Sequence, residues 1–253
     1  MIQDRRRWAL LAVSVFCCIG AGPAPGRVIA RLDLSKPFHL ADGASLTAIQ
    51  GPEVTDAIGD PAPGYILVCI KPSARSPCAP QPIDPHDSNY LEIAEIVYPR
   101  GRLAAPLLHL QMASAYAGNG SQGRAAVMLA YRPADHRFEP IFKQLGGGNM
   151  NQETRYIRSG PLRGDMIVAD ATSNAPFAYW VTVDRLTPNY RYKQVLRYRS
   201  ATHYNDGNPL AVIDSEMPNI LRRLGVWRHG QPLPLPKSGC AHPRLVKSEL
   251  WCS

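Results

Sequence analysis

From residue 64 onward, apolar residues either alternate with polar ones or gather in short blocks rich in Val, Ile, Tyr and Thr. Both patterns are those of β-strands, and few segments carry a helical period. Strands are expected at residues 64–71, 91–98, 106–116, 125–131, 137–143, 153–158, 166–169, 179–186, 192–204 and 210–214. Turn-forming strings separate most of them, among them Pro133-Ala134-Asp135, Thr187-Pro188-Asn189 and Asn205-Asp206-Gly207-Asn208. The spacing predicts an all-β fold, an antiparallel sandwich or a propeller-like stack of meanders, with one short C-terminal helix. That helix is expected at 218–224, with Pro218 in its first turn and Gly225 as its left-handed stop.

One hairpin is expected in detail. Asp206-Gly207 accepts positive φ at both positions, so strands 192–204 and 210–216 should pair across it. Paired residue numbers then sum to about 413, by the two-residue loop rule. This register sets Arg199 opposite Asp214 and Arg197 opposite Glu216, two structural ion pairs on one face of the ribbon.

The N-terminal pattern differs. Arg5, Arg6 and Arg7 precede an apolar stretch from Trp8 to Gly22, followed by small residues and prolines. Residues 1–26 therefore read as an export signal peptide, and residues 27–253 as a single mostly-β domain. No later apolar run is long enough for a membrane span. Beyond the leader stand four cysteines, an even number that in an exported chain predicts disulfides. Cys69–Cys78 and Cys240–Cys252 are the favoured pairs, because each closes a short loop; paired two-residue spacing for zinc is lacking. Residues 72–89, dense in Pro, Ser and Asp, read as a surface loop stapled by the first pair.

Net charge changes the picture little. Losing Arg5, Arg6, Arg7 and Asp4 with the leader lowers +8 to +6, and the remaining basic residues are scattered. A nucleic-acid partner is not expected, for want of a phosphate-tracking stripe. An envelope glycan, an anionic lipid or a protein remains open as the partner.

The sequence holds no Walker loop, H-E-x-x-H, G-x-S-x-G or C-x-x-C. Gly118-Asn119-Gly120-Ser121-Gln122-Gly123 fits the dinucleotide string, but Pro133 stops any helix behind it, and a hairpin turn is preferred. Gly146-Gly147-Gly148-Asn149 reads as a flexible connection, and no cofactor is expected. Asp214, Glu216 and His203 could form an acid/base set, but the arginine pairs already account for both acids. Asn205, Asp206 and Asn208 could offer oxygen ligands to a metal, although turn chemistry explains all three. Tyr179, Trp180, Tyr190, Tyr192, Tyr198 and Tyr204 would make a sugar- or peptide-binding platform only if exposed.

Residues 151–234 resemble uncharacterised exported proteins of Gram-negative bacteria. The resemblance is carried by Gly160-Pro161-Leu162, Tyr179-Trp180-Val181-Thr182-Val183, Val195-Leu196-Arg197-Tyr198-Arg199-Ser200, Asp206-Gly207-Asn208-Pro209-Leu210 and Ile213-Asp214-Ser215-Glu216-Met217-Pro218. It implies a periplasmic location and carries over neither an activity nor any functional residue. The expectation is a periplasmic or secreted envelope protein, a non-enzymatic binding or structural module. The alternative is a periplasmic hydrolase of glycans or esters.

Overall fold

A computed structural model describes residues 26–81, 88–99, 105–116, 122–173 and 177–253. Apart from Gly26, the leader lies outside these residues. So do residues 118–121 of the glycine-rich string and residues 82–87 of the stapled loop.

Strand outweighs helix by 48% to 11%, which makes the chain all-β. The first sheet is built from β1 (Arg27–Asp33), β2 (Ser45–Gln50), β5 (Ile66–Lys71) and β6 (Ala79–Pro80). The turn α1 (Ser35–Phe38) lies between β1 and β2, and the small hairpin of β3 (Val54–Thr55) and β4 (Pro61–Ala62) between β2 and β5. The second sheet takes β7 (Tyr90–Val97), β8 (Leu107–Ala113), β9 (Gly123–Arg132) and β10 (Arg137–Gly147) as a meander. The third takes β11 (Glu153–Tyr156), β12 (Met166–Ala171), β13 (Ala178–Leu186) and β14 (Tyr192–His203), again in chain order. Helix α2 (Val212–Arg223) and the hairpin β15 (Pro243–Val246) with β16 (Glu249–Cys252) complete the chain.

The sheets are stacked, and side-chain alternation explains the stacking. On β8, Leu108, Leu110 and Met112 join Leu46, Ala48, Val68 and Ile70 of the first sheet in one core. Leu107 of the same strand joins Met128 and Ala130 in a second core with Tyr156 and Met166 of the third sheet. All of β8 is buried, as its nearly continuous apolar run requires for a strand covered on both faces. The far face of the third sheet, with Ile167, Ala169, Val181 and Val183, is covered by Ile213, Ile220 and Leu221 of α2. Three antiparallel meanders and a helix therefore form four layers in chain order.

Cys69–Cys78 and Cys240–Cys252 are bonded as expected, each with Cα atoms 5.4 Å apart. Among the described residues no helix is long and apolar enough to cross a membrane.

Every strand expected before residue 205 forms, and the one expected at 210–214 does not. Asp206-Gly207 does turn the chain, with φ of 59° at Asn205 and 85° at Gly207. Beyond the turn, however, the chain enters α2 and not a strand. The apolar positions 213, 217, 220, 221 and 224 repeat at helical spacing and seat α2 on the third sheet. Pro218 accordingly lies inside the helix and not in its first turn. Gly225 does supply the stop: it has φ 71°, and its N–H and that of Val226 bond back to Arg222 and Leu221. The glycine stretch at 146–149 is also not a free connection. Gly146 and Gly147 pair with Arg124 and Gly123, and a Cβ on Gly147 would stand 2.2 Å from Gln152 Oε1.

Candidate functional site

The third sheet and α2 position nearly every residue singled out in the sequence. The capping position before α2 is Ala211, whose methyl group cannot accept a hydrogen bond. Glu153 of β11 does the capping instead, its Oε2 accepting the Ile213 N–H at 3.2 Å. Two residues along, Arg155 donates to both oxygens of Asp214, at 2.6 and 3.2 Å, and through Nε to Glu153 at 2.7 Å. One guanidinium thus ties two carboxylates and the helix start to the edge of the sheet. Burial pushes the Glu153 carboxyl up, and Arg155 opposes the shift.

Glu216 faces the other way, because positions two apart on a helix lie about 200° around its axis. It is fully buried. Its Oε2 accepts from Tyr198 Oη at 2.6 Å and Asn219 Nδ2 at 3.1 Å, and its Oε1 from the Thr202 hydroxyl at 2.7 Å and the Thr202 N–H at 3.2 Å. Four donors satisfy the carboxylate without a cation. Glu249 of β16 is buried beside it, and burial followed by repulsion from Glu216 pushes its carboxyl up to about 7.

These contacts correct the expected ladder. Asp214 does pair with an arginine, but with Arg155 and not Arg199; Glu216 pairs with none among the described residues. Arg197 stands opposite Thr182 with its guanidinium 4.8 Å from the Trp180 ring centroid, and Arg199 stands opposite Trp180. Nor does the structure assemble the acid/base set. Asp214 bonds to Arg155 of β11 and Glu216 to Tyr198 and Thr202 of β14, so the two carboxylates leave α2 on different sides and are held by the two edge strands of the sheet. His203 ends β14 on the far side from Asp214.

In the 205–208 turn, the Asp206 carboxylate accepts the His203 and Asn208 N–H groups. Asn208 Oδ1 accepts from Leu210 N, and its Nδ2 donates to the Leu250 carbonyl. The side-chain oxygens of Asp206 and Asn208 considered as metal ligands are thus engaged in turn bonds, and Asn205 takes the left-handed position. Of the aromatic residues, Tyr179 is fully buried and Tyr198 nearly so, whereas Trp180 is 40% exposed.

A groove opens beside the Arg155–Asp214 pair. Its volume is about 500 Å³. One wall is the chain from Arg155 to Leu162, another is α2 through Met217 and Leu221, and the third is the extended run Pro234–Ser238. That last wall is anchored by Trp227, whose indole Nε1 donates to the Pro232 carbonyl at 3.0 Å. The lining is chiefly aliphatic and proline. Arg155 and Arg158 reach it already paired, the latter with Glu95 at 2.6 Å, so Lys237 brings the one lining cation without an ion-pair partner among the described residues.

Behind the groove, Glu95 also meets Nδ1 of the buried His109 at 2.9 Å. Burial holds this imidazole below its usual pKa, with Glu95 opposing. Nε2 of His109 and the hydroxyl of Tyr156, a groove-lining residue, are buried without hydrogen-bond partners among the described residues.

Sequence reasoning missed Arg155, Arg158, Met217, Leu221 and Lys237. The signal was present in Pro232-Leu-Pro-Leu-Pro236, whose alternating prolines dictate an extended wall, and in the arginines spaced along 155–158. Comparison of the chain with protein-family models, curated proteins and solved structures finds no match.

Proposed function

We propose that this chain is an exported, non-enzymatic binding module of a bacterial envelope, and that the groove between β11, α2 and the Pro234–Ser238 wall receives its ligand. The leader-like residues 1–26, two disulfides and the resemblance over 151–234 support export. The observation that carries the binding reading is the groove's composition. Its volume of about 500 Å³ falls in the range of small-ligand sites, which bury apolar ligands against aliphatic walls and orient them with a few polar groups. Asp214, the one carboxylate at its edge, has both oxygens bonded to Arg155 and is taken up by the joint between the sheet and the helix. The ligand class that fits is elongated and mainly apolar, with one anionic end placed at Lys237.

The probe for this reading is 8-anilinonaphthalene-1-sulfonate, an apolar ring system with a single anionic group. The folded protein should bind it saturably. Met217→Trp, which fills the groove, should weaken binding at least tenfold, and Lys237→Glu about threefold or more, with thermal melts unchanged. Wild-type binding by both variants would remove the groove as the site.

A further inference from the structure

A second surface lies on the opposite face of the third sheet from the groove's helix. Alternation along β13 sends Tyr179, Val181 and Val183 toward α2 and Trp180 and Thr182 the other way. Nearer the centre, that other face is covered by the second sheet, where Gln144 of β10 donates to Asp170 of β12 at 3.2 Å. Beyond this cover the face is open. Register places Trp180 between Asp170 on β12 and Arg199 on β14, with Arg197 opposite Thr182 one step along. The indole is 40% exposed, and its orientation is held by the Arg197 guanidinium at 4.8 Å.

The two arginines differ from most others on the second and third sheets and their loops. Arg124, Arg132, Arg155, Arg158, Arg185 and Arg191 each hold a carboxylate within 3.2 Å. Arg197 and Arg199 are exposed and have no salt-bridge partner among the described residues, nor does the indole N–H of Trp180 meet an acceptor there. An exposed aromatic ring beside two guanidiniums that hold no salt bridge among the described residues, with Asp170 on the ring's other side and in electrostatic contact with Arg197, offers two things together. The ring takes the C–H face of a pyranose, and the guanidiniums take carboxylates through charge-assisted, two-pronged bonds. Thr182 and Asp170 add partners for sugar hydroxyls at the margin. Among the described residues, the cavity that Asp170 lines is too small and too polar for an acyl chain.

We infer that the Trp180–Arg197–Arg199 face of the third sheet is a binding surface for an acidic saccharide, independent of the groove. The test uses the whole folded protein and tetragalacturonate as the acidic probe, with maltotetraose as its neutral counterpart, read by calorimetry and by indole fluorescence. Tetragalacturonate should bind and maltotetraose should bind at least tenfold more weakly. Raising salt from 50 to 300 mM should weaken the acidic probe several-fold. Trp180→Ala should reduce its affinity at least tenfold and Arg199→Gln at least threefold, with melts and anilinonaphthalene-sulfonate binding unchanged; Trp180→Phe should restore most of the loss. Equal affinity for the two saccharides, or unaltered binding by Trp180→Ala, overturns the inference. Binding of phosphatidylglycerol vesicles through Trp180 without saccharide binding overturns it in favour of a lipid.

Discussion

Replacing Arg155 with methionine tests the central joint of the molecule. Arg155 is 31% exposed at its side chain, and its partners Glu153 and Asp214 are 21% and 19% exposed, so the cluster is neither dry nor fully solvated. Removing one partner of a buried pair costs about 3–5 kcal/mol, because the other charge is left without compensation. A surface pair is worth about 0–1 kcal/mol. The partial exposure here places the loss between these, at about 2–3 kcal/mol. For a chain of this size that corresponds to a fall in Tm of roughly 4–12 °C. The loss should also depend on pH with a definite sign. The Glu153 carboxyl already sits above its ordinary range because of burial, and without Arg155 it must rise further. A carboxyl whose pKa is raised by folding contributes stability at low pH, and that contribution is lost as pH climbs through the folded pKa. Arg155→Met should therefore be least destabilising near pH 5 and most destabilising near pH 8. Urea melts of Arg155→Met, Asp214→Asn and the double variant measure the coupling. Arg199→Ala serves as the control, expected within about 0.5 kcal/mol of wild type as for other surface changes. If Arg199→Ala costs as much as Arg155→Met, or if the cycle shows no coupling, Arg155 is not what holds α2 to the sheet.

Glu249 gives a second pH signature: with its carboxyl raised to about 7 by burial and by Glu216, the fold should lose on the order of 2–3 kcal/mol between pH 4.5 and 8. Glu249→Gln should flatten that slope in urea melts, and an unchanged slope would place the titration elsewhere. Each disulfide closes a short loop, of sequence separation 9 or 12, so Cys240→Ser with Cys252→Ser should cost about 2.5–3 kcal/mol by loop-closure entropy. A melt that does not move on reduction would contradict both bonds.

Strands β5 and β7 to β14 were readable because their signal is local, whereas β1, β2 and the β15–β16 hairpin were not among those expected. Alternation on β13 and β14, and the continuous apolar run of β8, state strand and burial directly. Both disulfides were readable for the same reason, each bracketing its own loop. The segment after Asn208 was not, because two periods coexist there: Leu210, Val212 and Asp214 occupy alternate positions as on one face of a strand, while residues 213, 217, 220, 221 and 224 repeat as a helix does. The apolar face of the third sheet decides between them by needing a cover, and that need is not local. The two arginine–carboxylate matches across the turn were therefore a coincidence of composition. The arginine that does bind Asp214 lies 59 positions away. No pairing rule within a hairpin could have found it.

The same non-local logic explains where chemistry can reside in this fold. Each sheet buries apolar residues on the face that meets its neighbour, so the polar clusters open to solvent lie where a layer ends or two layers part. Arg155, Glu153 and Asp214 sit where α2 meets the edge strand β11, and the groove opens there because the twelve-residue helix and the Pro234–Ser238 run leave the Arg155–Leu162 edge uncovered. Trp180, Arg197 and Arg199 sit where the third sheet outreaches the second. Glu216 is one of several polar groups buried within the layers, and it is tolerated because Tyr198, Thr202 and Asn219 supply four donors to one carboxylate. A group so fully satisfied has no capacity left for a ligand. The exposed or half-satisfied groups at the two layer ends do, so ligands are to be sought at those ends rather than at the most deeply buried acid.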